Sequence, residues 1–174
     1  MDTPENTNRS FRAFSFKGAR YRFSGLEGEI LTRIIRRLRR ELEQYIRRYP
    51  EFGSSLEAFT DTERLPADPP ESAIRMHRAS LSVYRGTEGE FSVGPMAAVA
   101  GTFAELSVEA ALAEISKNHP SSEYLHDIVL ENGGDIAMHL QRPIYIALFA
   151  GPKSPFARLA FRIEPDGKKG EGGG

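Results

Sequence analysis

Between residues 26 and 48 apolar side chains return every three or four positions: Leu26, Ile30, Leu31, Ile34, Ile35, Leu38, Leu42, Tyr45 and Ile46. That recurrence is the period of an α-helix with one buried face. Ser24 is placed to cap its start, and Pro50 follows its end. A stripe this wide needs a second layer of structure to cover it. The opposite face carries Arg33, Arg36, Arg37, Arg39, Arg40, Arg47 and Arg48 among Glu27, Glu29, Glu41 and Glu43. It reads as a solvated face laced with i,i+4 Glu–Arg pairs. A nucleic-acid surface is the competing reading. No aromatic platform or binding motif accompanies the arginines, so no nucleic-acid partner is expected.

Strand patterns lie on both sides of the helical region. FRAFSF and RYRFS, within residues 11–24, alternate as a half-buried hairpin turning near Gly18. Residues 127–140 read as one strand interrupted by ENGGD. IYIALFAG (144–151) and ARLAFRI (157–163) follow as a returning strand and a third alternating segment. Residues 51–70 read as a loop that ends in Pro66, Pro69 and Pro70. A helix is expected from Pro69 to Tyr84, with Ala73, Ile74, His77, Leu81 and Tyr84 on one side. Another is expected from Pro95 to about Lys117, because proline suits a first helical turn and Asn118 and Pro120 then stop it. Strands at both ends with helices between favour an α+β fold with a mainly antiparallel sheet. The third strand would leave a sheet edge in need of cover, so a homodimer is one expected arrangement.

The 174 residues suit one domain, expected over 10–166, with frayed tails at 1–9 and 167–174. There is no cysteine. That excludes disulfides, thiolate catalysis and cysteine-held metal clusters. The net charge of −1 attracts neither nucleic acid nor an anionic membrane. No secretory leader and no run of about 20 apolar residues stands out, so no membrane partner and a cytoplasmic location are expected.

Known catalytic signatures are missing. His77, His119, His126 and His139 form no HExxH pair, and there is no GxSxG, GxGxxG or GxxxxGK[ST]. His77 reads as a partly buried structural residue. Two stretches remain, VGPMAAVAGTFAE (93–105) and ENGGD (131–135). By itself ENGGD has two readings. Asn132 and Gly133 form a tight hairpin turn, or the glycines form a bulge where a ligand meets bare backbone. In the second, Asn132 donates and accepts, and Asp135 receives donors or holds a metal. In the other stretch, Gly94 and Pro95 lead into a helix start, whose free N–H groups favour an anion. Ala98 and Gly101 leave room for a planar ring, or for tight packing on a sheet.

Together the two stretches resemble an uncharacterised branch of the ApbE-like superfamily, whose better-known members are FAD-dependent protein flavinyltransferases. RRLRRELEQYIRRYPEF resembles the branch's long helix and its Pro-x-Phe turn. VGPMAAVAGTFAE and ENGGDI resemble its two distinctive blocks, and YIALFAGPKSPFARLAFRI its following hairpin. The resemblance implies one flavin-nucleotide pocket between the blocks, and so tips ENGGD towards a ligand site. Gly94, Pro95, Ala98 and Gly101 would form its helix side. Asn132, Gly133, Gly134 and Asp135 would form its strand side. Glu105 and Glu131 are secondary candidates. FAD or FMN is the implied cofactor, with magnesium (Asp135 the best ligand) and a carrier protein as further implied partners.

The transferases carry a lysine in the block matching VGPMAAVAG, an HxxDPxTG segment and a DAxxT motif. None of these is present here. The branch also continues into a Thr/Ser/Gly-rich stretch and an AD-containing helix, so a C-terminal portion of the fold is expected to be missing, or cleaved near the glycine-rich end. The expected function is therefore a flavin-nucleotide-binding protein, a redox accessory or biosynthetic enzyme. The alternative is a non-catalytic binding or assembly module on the same scaffold.

Overall fold

The computed structural model describes residues 10–59, 65–118, 127–147, 151, 153–155 and 159–165. Two strands open it, β1 (Arg12–Phe16) and β2 (Ala19–Ser24), and four helices follow. These are α1 (Gly28–Arg48), α2 (Pro50–Ser54), α3 (Glu71–Gly86) and α4 (Val99–Asn118), the last entered through a 3₁₀ turn at Pro95–Ala98. Strands β3 (Ile128–Asn132), β4 (Asp135–His139), β5 (Ile144–Ala147) and β6 (Ala160–Ile163) complete it. The fold is α+β. β1 to β4 form one antiparallel sheet in sequence order, although α1 to α4 intervene between β2 and β3.

The sheet presents one face to the helices. Tyr21 and Phe23 alternate inward on β2, while Arg20 and Arg22 point out. Tyr21 opposes Asn132, Phe23 opposes Leu130, and Asn132 opposes Asp135. Directly opposed residues share a face, so Phe14, Tyr21, Asn132 and Asp135 form a row across the helix side. α4 lies over β3 and β4, and α1 packs against α4. The core joins Leu31, Ile35, Leu38 and Leu42 of α1 to Phe103, Ala104 and Ala111 of α4 and to Leu130 of β3. Burying each large side chain contributes about 1.5–3 kcal/mol. α1 is thus held by its stripe, as its period predicts.

Several local expectations are corrected. Ser24 pairs with Val129 as the last residue of β2, and the N-cap of α1 is Glu27, without a side-chain cap. The segment read as loop from residue 51 begins in α2, with Pro50 in its first turn and Phe52 buried. α3 buries Ser72, Ala73, Met76, His77 and Ser80, so Ile74, Leu81 and Tyr84 stand at the margin of its inward face. On the same helix Arg75 pairs with Glu71 at 2.9 Å, and with Glu105 at 3.1 Å and Glu109 at 2.7 Å on α4. These pairs link α3 to α4 at the edge of the buried face. β5 and β6 pair with each other in a separate two-stranded sheet instead of extending the first one.

The stretch Pro95–Lys117 is long and apolar enough to cross a membrane, which the sequence reading did not expect. Its Phe103, Ala104, Leu106, Val108 and Ala111 are buried within the chain's own fold, as in a core helix. The i,i+4 Glu–Arg lacing expected on α1 survives only at longer range, where Arg39 and Arg47 attract Glu43. Among the described residues its ion pairs run to other segments: Glu43 to Lys17 at 2.5 Å, Arg33 to Glu114, and Arg48 to Asp68 at 3.9 Å.

Candidate functional site

The ENGGD segment closes β3 onto β4. Asn132 opposes Asp135, so Gly133 and Gly134 are the two turn residues, with φ of 63° and 107°. Positive φ at both positions matches the twist of paired strands and costs glycine nothing. The turn therefore sits one residue beyond the Asn132–Gly133 pair expected from sequence. Asn132 explains the difference. It ends β3, is 5% exposed, and its Nδ2 donates to the Ala100 carbonyl at 2.9 Å. That bond ties the end of β3 to the first turn of α4. Glu131 braces the turn, accepting the Gly134 N–H at 3.0 Å.

The two sequence blocks meet at this end of the molecule. A Cβ built on Gly101 would lie 3.7 Å from the carboxylate of Asp135. The helix surface and the hairpin tip are thus in van der Waals range at a position with no side chain on the helix. Ala98 and Gly101 are half-buried there, and Gly133, Gly134 and Asp135 are exposed. A Cβ at either turn glycine would meet nothing within 4 Å. The result is a shallow surface of small side chains and bare backbone beside one carboxylate.

Other candidates are placed elsewhere. Gly94 and Pro95 are buried. A Cβ on Gly94 would stand 1.9 Å from the Ser55 carbonyl oxygen, so its missing side chain admits the chain's own backbone. Glu105 faces α3 in the Arg75 cluster. The pull of Glu109, Glu71 and Glu105 holds that guanidinium firmly protonated, its pKa raised above the ordinary arginine value. Among the described residues, no three His, Asp or Glu side chains converge as metal ligands. A cation at Asp135 would need its remaining ligands from water or from a bound phosphate.

Charge decides what the surface suits. Neither 93–105 nor 131–135 contains a lysine or arginine, and Asp135 contributes a carboxylate on the helix side, while Glu131 opposes Arg22 on the other face of the sheet. An unaccompanied phosphate would be repelled by Asp135. A planar, uncharged, hydrogen-bonding ring would meet small residues and one acceptor. The residues present thus fit an isoalloxazine-like ring, or a phosphate that arrives with a cation.

His77 lies apart from this surface. It is 6% exposed, its ring is 6.3 Å from that of Phe59, and Nδ1 has no hydrogen-bond partner among the described residues. Burial, and then the Arg85 charge, push its pKa down, which fits the structural role expected. His139 contacts Gln141 through Nε2 at 2.8 Å. His119 and His126 lie outside the described residues. Sequence reasoning missed the clamp made by Asn132 and the hub at Arg75; for the hub, Glu71 at i−4 was the available signal.

An α+β domain whose small-residue helix start abuts a Gly-Gly hairpin is the class these features define. The family model described as AbpE bacteria matches residues 23–170, and the chain belongs to that family. Among similar proteins, the UPF0280 protein of Methanocella arvoryzae is 37% identical over 131 residues, covering 75% of this chain and 44% of the relative. The UPF0280 protein of Methanosphaerula palustris is 37% identical over 127 residues, covering 73% and 44%. That of Methanothermobacter thermautotrophicus is 34% identical over 146 residues, covering 84% and 46%. The chain spans somewhat under half the length of these relatives.

Proposed function

We propose that this chain is a cytoplasmic flavin-nucleotide-binding protein, a redox accessory or biosynthetic enzyme, whose ring site is the surface between the start of α4 and the β3–β4 turn. The observation that carries the reading is the meeting of Gly101 with Asp135, clamped by Asn132 on Ala100. FAD or FMN would lay its ring over Ala98 and Gly101, with Asp135 accepting a ring N–H. Gly133 and Gly134 keep the approach open. Were magnesium to bind in place of that ring contact, Asp135 would hold it, and the ion would neutralise phosphate charge. The flavin supplies the redox chemistry when bound; the chain's residues position it and accept its hydrogen bond.

Transfer of FMN to a carrier protein is not assigned to residues 1–174 alone, since the block at 93–101 contains no lysine. The second reading, a non-catalytic binding or assembly module, is favoured by one observation. Leu159, just before β6, and Phe161 within it are exposed two residues apart on one face, a surface suited to a further segment, a carrier or a second copy in a homodimer.

Flavin titration followed by fluorescence tests the site. Quenching is expected to saturate and to weaken at least about tenfold in Asp135→Ala, the loss of one hydrogen bond to a charged acceptor. Gly101→Leu, which fills the ring surface, is expected to abolish it. Unchanged binding in both variants rejects this site, and release of AMP from FAD by this chain rejects the view that it lacks transfer activity by itself.

A further inference from the structure

On the side of the fold where α1 meets the β1–β2 turn, a cavity of about 310 Å³ opens between Phe16 and Lys17 on one wall and Arg36, Arg39, Arg40, Glu43 and Arg47 on the other. Five cations and one carboxylate surround it, in a chain whose net charge is −1. The carboxylate is already used, since Glu43 holds Lys17. Arg39 is held in place by donating to the Phe16 carbonyl at 3.2 Å. Among the described residues Arg36, Arg40 and Arg47 make no ion pair within 4 Å, although Glu43 feels the Arg47 charge at longer range. Arg36 stands 5.5 Å and Arg39 6.0 Å from the centre of the Phe16 ring, which sets the positions of both guanidiniums.

Such an arrangement works against the isolated helix. Arg36 and Arg40 are four apart, a spacing at which like charges destabilise. Arg47 continues the same stripe seven residues on. Guanidiniums match phosphate geometry through paired N–H groups, and several around one concavity match a ligand with several phosphates.

We infer that this groove binds a compact oligophosphate, a di- or triphosphate group held by Arg36, Arg40 and Arg47 over the Phe16–Lys17 turn. The volume suits a small ligand, not a length of polymer. Free inorganic triphosphate and a nucleoside triphosphate present the same charged group. The site is separate from the flavin surface and involves none of its residues.

Thermal unfolding of the full 174-residue chain with added inorganic triphosphate or ATP tests this. At 150 mM salt, either ligand at about a hundred times its Kd should raise Tm by roughly 5 °C or more. Equal shifts mean that only phosphates are read; a larger one for ATP means that the nucleoside also gains contacts. Arg40→Glu should remove the shift without lowering the ligand-free Tm, because attraction to Arg36 and Arg37 offsets the new repulsion from Glu43. That retained Tm separates lost binding from misfolding. Asp135→Ala should leave triphosphate binding unchanged, so failure of the flavin reading does not decide this one. No saturable shift at low salt, an undiminished shift in Arg40→Glu, or binding of single-stranded oligonucleotide but not triphosphate would overturn the inference.

Discussion

The β1–β2 and β3–β4 hairpins share a turn geometry and differ in everything around it. Lys17 and Gly18 have φ of 48° and 81°, and Gly133 and Gly134 have 63° and 107°. The antiparallel order puts both tips at the same end of the sheet. Three strand spacings, roughly 14 Å, separate β1 from β4. One tip faces the guanidiniums of α1. The other faces the small residues of α4 and carries Glu131 and Asp135. Turn geometry therefore does not decide the chemistry around a tip; the helix that each hairpin meets does.

The largest expected effect falls on what the hairpins share. Leu130 is 0% exposed on β3, which pairs with both β2 and β4. Leu130→Ala is expected to lower unfolding stability by about 2–5 kcal/mol in urea melts and to weaken both proposed sites together. A loss confined to one site would show that the hairpins are not coupled through β3.

Asn132→Ala separates them. It removes a buried donor from the Ala100 carbonyl and is expected to cost about 1–3 kcal/mol by the same melts. Flavin quenching should weaken and triphosphate binding persist. Substituting the turn glycines sharpens the comparison further. Gly18→Val and Gly134→Val both force a β-branched residue to positive φ, at about 1–2 kcal/mol each. Both should destabilise, Gly134→Val the more because its φ lies further from the left-handed well, while flavin binding falls only for the second.

The smallest effect is the pH dependence of the Lys17–Glu43 pair. The Lys17 hydrogen bond lowers the Glu43 pKa below the ordinary glutamate value. A carboxyl depressed on folding contributes stability above its unfolded pKa, about 4.3, and loses it as pH falls through the folded value. The pair is largely exposed, so less than about 1 kcal/mol is expected, and less again at high salt. Comparing Glu43→Gln with the parent chain by acid titration of Tm checks it; a difference that grew as salt was added would contradict the assignment.

The sequence already determined α1, because its apolar period is a property of neighbours along the chain, and the buried Leu31, Ile34, Ile35, Leu38, Leu42 and Tyr45 follow it. It also determined the β1–β2 hairpin, since Gly18 sits where positive φ is needed; residues 127–140, read as one interrupted strand, fold instead as a second hairpin turning at Gly133 and Gly134. Tertiary structure decided what those elements face. Asn132 looked like half of a turn until its amide met a carbonyl 32 residues away. Gly94 looked open until the Ser55 backbone filled its place, and Glu43 looked shared among the arginines of its own helix until Lys17 made the short contact. Local periodicity and backbone preference act over a few residues. The partner of a polar group is chosen by contacts across the fold, which no spacing in the chain records.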